Sequence, residues 1–281
     1  MANVIACVDA HVHLHPCYDP DDLLRHAYAN LAAASNGAAD AVRRAYFLLL
    51  AECAPDDCFG ALRALADADR GRGAPATSGL QLRRWVVAPT EEPISVVARD
   101  GERELTIVAG RQVACREGLE VLVLGTTRRF ADGRPIRDLL RETDELGVPR
   151  VIPWGPGKWF FRRGRLLHAL IEEFRKPTLF LGDEGGRPVF WGYPEHFVQA
   201  ERVGVRNLPG TDPLPFPHDV GKVGRMGFRV PIDLDPRLPG QSLLRALTQL
   251  GTPLERFATL EPPLRFVRNQ IGMQLRKRRH A

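Results

Sequence analysis

Val4-Ile5-Ala6-Cys7-Val8-Asp9-Ala10-His11-Val12-His13-Leu14-His15-Pro16-Cys17 is the stretch on which the reading of this chain turns. Its first five residues form an unbroken, partly β-branched apolar run, the pattern of a strand covered on both faces. Such strands lie in sheets layered with helices, and the pattern downstream agrees. Helical spacing appears at residues 21–31, 38–52 and 57–69, the second through Val42, Tyr46, Leu49 and Cys53. Strand patterns then occupy residues 82–88, 94–98, 104–109, 111–115 and 119–124, with Arg99-Asp100-Gly101-Glu102 as a hairpin turn. Beyond them, helices at 136–146, 163–174 and 195–203 alternate with strands at 150–153, 178–181 and 205–208. This alternation implies right-handed β-α-β units on a parallel sheet or barrel. Residues 70–78 and 209–239 read mostly as loop, and two or three helices complete the chain.

Composition bounds the functional classes. With 281 residues, 44% of them hydrophobic and 26% charged, the chain can fill one large core or two small ones, which excludes disordered and low-complexity architectures. No apolar run approaches the roughly 20 residues that cross a bilayer, and the start lacks the cationic region of a secretory signal. A soluble, cytoplasmic protein is expected. Five cysteines, an odd number without a C-x-x-C pair, suggest reduced thiols. The net charge of +5 is unevenly placed: the last 20 residues hold six cations and no acid, leaving 33 bases against 34 acids elsewhere. A phosphate-gripping body would carry its basic face within the fold, so nucleic acid is not an expected partner. Leu264, Val267, Ile271 and Leu275 share one helical face among those cations. Such a basic amphipathic helix suits a membrane surface or a partner, but packing against the body is the preferred expectation.

The chemistry is expected where the first strand stops. Residues two apart in a strand point to the same side, so His11 and His13 project together as half a metal site. Asp9 shares their parity as ligand or support. The alternative, two polar residues on a solvated face, conflicts with the apolar run before them. In parallel barrels the C-terminal strand ends converge on the active site, which draws attention to residues just past other strands. Asp183 and Glu184 follow one such strand, and Glu91 and Glu92 another. The first pair is preferred because Gly182, Gly185 and Gly186 let backbone approach a ligand. Lys158, in Gly155-Pro156-Gly157-Lys158-Trp159, is placed to bind an anionic group, as are Arg187 and the pair Arg162-Arg163. His15, Cys17 and His218 are secondary candidates.

Asp9-Ala10-His11-Val12-His13 resembles the opening D-x-H-x-H motif of the amidohydrolase superfamily and of the polymerase-and-histidinol-phosphatase (PHP) family, metal-dependent hydrolases built on regular or distorted β/α barrels. Three further stretches support the resemblance. Residues 107–113 followed by 118–125 resemble the PHP segment in which a Gly-x-Glu strand precedes a histidine-bearing one. Val151-Ile152-Pro153-Trp154-Gly155 stands where a histidine-proline strand end would be. Gly210-Thr211-Asp212 resembles a late Gly-Ser-Asp motif whose aspartate ligates metal. The departures are Gln112 where the pattern has glutamate, and Leu122 and Pro153 or Trp154 where it has histidines, so a complete three-metal PHP site is not assembled.

The resemblance implies an α/β fold, an irregular (β/α) TIM-like barrel over residues 1–239 with an inserted β-hairpin, followed by a helical C-terminal extension over 240–281. It also implies a metal-dependent hydrolase of phosphoesters, amides or lactones. One or two divalent ions, zinc, manganese or iron, would be held by His11, His13, Asp183 and Asp212. Asp212, Glu184 and Lys158 would be the catalytic groups, acting on a small, anionic substrate. The alternative is a PHP-like barrel that has lost catalysis and binds a ligand or a protein.

Overall fold

The computed structural model describes residues 4–35, 43–69, 80–249 and 251–280. Its α/β architecture contains two mixed sheets. The seven-stranded sheet has the order β12 (Glu255–Ala258), β11 (Met226–Ile232), β1 (Val4–Val12), β2 (Arg43–Leu50), β5 (Arg103–Val108), β4 (Ser95–Asp100), β3 (Val86–Pro89). The five-stranded sheet has the order β10 (Arg206–Asn207), β9 (Leu179–Gly182), β8 (Arg150–Pro153), β7 (Glu120–Leu124), β6 (Gly110–Ala114). β1 is parallel to β2, and β2 to β5; β8, β9 and β10 are also mutually parallel. β7 runs antiparallel to both neighbours, β6 and β8.

Among the described residues the ladders do not close into a barrel. Instead, two seams of single hydrogen bonds join the sheets at one end. At the first, Glu52 N–H reaches the Gly110 carbonyl at 3.2 Å and Gln112 N–H the Glu52 carbonyl at 2.8 Å. At the second, Ala10 N–H donates to the Pro209 carbonyl at 3.4 Å and Asp212 N–H to the His11 carbonyl at 2.8 Å. Gly210 is needed there, because a Cβ at this position would lie 2.3 Å from the His11 backbone nitrogen.

Three apolar cores follow from the two sheets. α1 (Pro20–Ala34) and α2 (Cys58–Asp69) cover the outer face of the larger sheet through residues such as Leu23, Leu31 and Leu62. α3 (Ile136–Glu145), α4 (Phe161–Phe174) and α5 (Glu195–Arg202) cover the smaller sheet through Leu139, Leu167 and Phe197. Between the sheets, Val4, Val8, Phe47, Leu122, Phe180 and Phe228 meet Leu243 and Leu247 of α6 (Pro239–Thr248). Each such side chain taken from water contributes about 1.5–3 kcal/mol, so the inner core holds the sheets against one another.

Several expectations are corrected. The helix expected at 38–52 is strand β2 from Arg43, residues 36–42 lying outside the described set, as does the expected loop at 70–78. Leu48 and Leu50 enter the outer core while Phe47, Leu49 and Ala51 enter the inner one. A strand buried on both faces is apolar throughout, and helical spacing can be picked out of such a run by chance. The loop expected at 209–239 contains β11, and the extension expected to be helical contributes the edge strand β12. The hairpin expected between 94 and 109 is present as β4 and β5, with Asp100 opposite Arg103.

The last helix, α7 (Pro263–His280), lies on the body with the opposite face from the one expected. Leu264, Val267, Ile271 and Leu275 are 87%, 51%, 56% and 53% exposed, whereas Asn269 is buried at 3%. The side of the helix turned inward carries Phe266, Asn269, Gln270 and Met273, which line a cavity beneath it. No helix among the described residues is long and apolar enough to cross a membrane.

Candidate metal centre

A break in β1 delivers the two histidines. Val4, Ala6, Val8 and Ala10 face the inner core, but Val12 faces the outer one with Cys7. The pairing of β1 with β2 shifts register between Asp9 and Val12, so one extra residue reverses the alternation there. His11 and His13 consequently turn inward at the seam. Without that shift, odd-numbered residues would remain on the helix-covered face.

Asp9 does not follow them. It is fully buried, and its carboxylate accepts hydrogen bonds from Thr211 N (2.8 Å), Gly224 N (2.8 Å), His11 N (3.2 Å) and the Thr211 hydroxyl. Burial pushes its carboxyl up to about 6 against the pull of these donors. Asp9 thus supports the site by tying β1 to Thr211, the residue before Asp212. Asp9→Asn sets an NH2 group against buried donors, and a loss of about 2–3 kcal/mol is expected in the denaturant midpoint; an unchanged midpoint would contradict this role.

At the centre, His11 Nε2 and His13 Nε2 lie 3.1 Å apart, and each is 3.4 Å from Asp212 Oδ1. These three form a cluster whose ligand atoms all lie within 4.8 Å of one another. Asp212 adopts a left-handed backbone, φ 46°, a conformation costly for a residue with a side chain and the kind that concentrates at functional sites. Two imidazole nitrogens and a carboxylate oxygen converging on one point, the histidines buried and Asp212 half-buried, suit a divalent transition metal with an open position.

Electrostatics reflects this crowding. Burial lowers His11 to about 4 despite Asp212 beside it. Burial works the same way on His13, but hydrogen bonds and charges from Asp212 and Cys53 overcome it and push His13 up to about 10. Burial would raise Asp212; the two histidines and a hydrogen bond from Glu184 hold it well below the carboxylate range. Glu184 is driven the other way, well above its ordinary value, by burial and by the Asp212 charge. The hydrogen bond between the two carboxyls thus favours the proton on the Glu184 side.

Lys158 completes the far wall. Its Nζ lies 2.6 Å from Glu120 Oε2; burial would lower its pKa, and the charge beside it at Glu120 helps to raise it instead. Gly155 makes room, since a Cβ there would sit 2.6 Å from Lys158 Cδ. A cavity of about 370 Å³ opens beside these groups, lined also by Gln112, Gln270 and Met273. His15 separates it from a second cavity of about 620 Å³ that no member of the histidine-aspartate cluster lines.

Of the residues expected at the site, the structure brings His11, His13, Asp212, Glu184 and Lys158 together, and it does not bring Asp183. Asp183 is engaged bidentately by Arg187, with Nε to Oδ1 and Nη2 to Oδ2 both at 2.8 Å, and both side chains are buried. Arg187, expected to receive a substrate anion, is consumed by the same pair. Glu92 caps α6 by accepting from Gly240 N and Gln241 N. His15 bonds the Pro213 carbonyl at 2.9 Å, and His218 lies against Asn269. Cys17 is exposed.

Two participants were missed. Gln112 Oε1 lies 2.9 Å from His11 Nε2, and its amide donates to Glu120 Oε2 at 3.2 Å. Glu120 begins its strand, and sequence reasoning looked at strand ends. Because β7 runs antiparallel to both β6 and β8, its first residue shares a rim with their last residues.

No protein-family model matches the chain, and no curated protein matches it in sequence. Solved structures do share its fold. PsfC from Pseudomonas syringae PB-5123 superposes with a TM-score of 0.55 at 16% identity, over 98% of this chain and 99% of that one. The lesion-specific endonuclease PfuEndoQ from Pyrococcus furiosus gives 0.50 at 10% identity, over 89% of this chain and 57% of the endonuclease. The chain therefore spans little more than half of that enzyme. At such identities the likeness is one of fold.

Proposed function

We propose that this protein is a metal-dependent hydrolase of phosphoesters, working on an irregular, opened β/α barrel whose two seams stand where closed ladders would be. The convergence of His11 Nε2, His13 Nε2 and Asp212 Oδ1 within 3.4 Å of one another carries the reading. These residues would hold one divalent ion, zinc or manganese, with iron as a third fit to the donor set. Such an ion, when bound, lowers the pKa of its water and polarises the oxygen of the scissile bond.

The chain's own groups supply the rest. Gln112, held by its amide on Glu120, lines the cavity beside His11 Nε2. Glu184, buried beside Asp212 and shifted upward by burial and by that charge, is the group from which a departing alkoxide would take a proton. Lys158, kept charged by Glu120, offers a cation to a phosphoryl oxygen. A phosphoester is favoured over an amide because of this cation and because one structural neighbour, an endonuclease, belongs to a class that breaks phosphodiester bonds.

Purified protein is expected to contain about one zinc or manganese per chain, and adding the metal at a hundred times its Kd should stabilise the fold by about 2.7 kcal/mol. The His11→Ala, His13→Ala variant should lose both effects; retention of all its metal would sink the assignment. The rival reading, a non-catalytic binding module, draws on Gln112, Leu122 and Trp154 standing where the resemblance expects ionisable ligands. It predicts a melting temperature unmoved by either metal.

A further inference from the structure

The last helix shows to solvent the face that its sequence pattern would bury. At about 100° per residue, Leu264, Val267, Ile271 and Leu275 fall within an arc of about 80°, and each is more than half exposed. The stripe runs along roughly 17 Å of α7. Its rotation is fixed from the other side. Arg265 Nη2 donates to Asp219 Oδ1 at 3.1 Å, Asn269 Oδ1 lies 3.3 Å from His218 Nε2, and Arg276 Nη1 donates to the Pro215 carbonyl at 3.2 Å. Gly272 lets the Phe216 ring come close, since a Cβ there would lie 2.8 Å from it. The helix cannot roll its stripe inward without giving up these contacts.

The charges beside the stripe select what covers it. α7 carries six Lys and Arg and no Asp or Glu. Of these, Arg268 and Arg278 share or border the apolar arc and are exposed, whereas Arg265 is taken up by Asp219 and Glu261. A second copy laid face to face would set arginine against arginine with no acid to answer it. A two-helix seam with another protein needs apolar residues alternately three and four apart. From Leu264, Val267 and Ile271 that repeat leads to Gln274 and then Arg278, so the seam ends after two turns. A lipid surface needs no such repeat. It takes a continuous apolar arc, and anionic headgroups attract the cations at its edge.

We propose that α7 docks on an anionic lipid surface, its axis in the plane of the interface, with Leu264, Val267, Ile271 and Leu275 against the acyl chains and Arg268 and Arg278 at the headgroups. The contact is peripheral and reversible, because four aliphatic side chains bury far less apolar surface than a spanning helix. Phe266, Asn269, Gln270 and Met273 line the cavity from the opposite face of the same helix, so that cavity lies about 10 Å, one helix thickness, from the lipid. Docking needs nothing from the chemistry at the metal centre and is tested apart from hydrolysis.

Co-sedimentation of the full chain with sucrose-loaded vesicles reads the binding directly. Vesicles of about three parts phosphatidylcholine to one part phosphatidylserine should bind it about tenfold or more tightly than phosphatidylcholine alone. Arg268→Gln and Arg278→Gln should each cost about fivefold on the anionic vesicles, the loss expected of one cation near such a surface. The Val267→Ser, Ile271→Ser variant should bind about a hundredfold more weakly. Both of its changed side chains are exposed, so it should melt at the parental temperature. Absence of binding to the anionic vesicles, or equal binding to the two compositions, overturns the proposal. So does anionic binding that survives the loss of Val267 and Ile271, which would assign it to charge alone. A lipid-free dimer, seen by sedimentation equilibrium and abolished by that double substitution, overturns it in favour of a second copy as the occupant. Polyglutamate bound as tightly as the anionic vesicles overturns it as well, since an acidic polypeptide would then suffice.

Discussion

Asp212→Asn should lower the rate of phosphoester hydrolysis about a thousandfold, equivalent to roughly 4 kcal/mol of transition-state stabilisation. The substitution keeps the shape of the side chain and removes its charge. Asp212 Oδ1 stands 3.4 Å from both imidazoles, so the change strips the anion from the cluster that would hold the metal. Glu184 also loses the neighbouring negative charge that, with burial, shifts it upward. Two functions fail together, the holding of metal and the holding of a proton. Steady-state rates on an aryl phosphate, alongside elemental analysis, would test this. A variant within tenfold of the parent would show that hydrolysis does not run through this cluster. The fold should survive, because Asp212 is tied to β1 by its backbone, through N–H to the His11 carbonyl.

Asp183→Ala should do the opposite, weakening the fold and sparing the metal. The change leaves the guanidinium of Arg187 buried without its counter-ion, and breaking such a pair from one side costs about 3–5 kcal/mol. For a chain of this size, that lowers the melting temperature by roughly 10 °C. Arg187 also bonds the Trp191 and Gly192 carbonyls, so the loop carrying these two residues should loosen first. Metal content should remain that of the parent. Loss of metal in a protein that melts at the parental temperature would return Asp183 to the ligand set.

The contrast between Asp183 and Glu184 shows what a linear reading could and could not reach. Both follow β9 and were equally placed as acids beyond a strand end. Adjacent residues at a turn leave in different directions. Glu184 faces Asp212, while Asp183 meets an arginine four residues on, and nothing in Gly182-Asp183-Glu184-Gly185 decides which does which. Gln112 was legible as a departure from a pattern and not as a contact, since its partner His11 lies 101 positions away. Glu120 was hidden by the direction of its strand. The helical spacing read across residues 42–53 shows the weakness of periodicity in a run buried on both sides.

The local chemistry of the first strand was determined by the sequence alone: an apolar run ending in two alternating histidines belongs to a covered strand that delivers imidazoles to one point. The α/β class followed from the downstream alternation for the same reason, because side-chain period reports the immediate environment of a segment. Only the tertiary structure decided which distant carboxylate meets those imidazoles, which way β7 runs, and which face of α7 turns inward. Those outcomes depend on long-range closure, on a register shift between Asp9 and Val12, on a glycine at 210 that admits the backbone of β1, and on the side chains that the last helix turns toward the cavity beneath it. Contacts of that kind are made between segments whose own patterns carry no record of their partners.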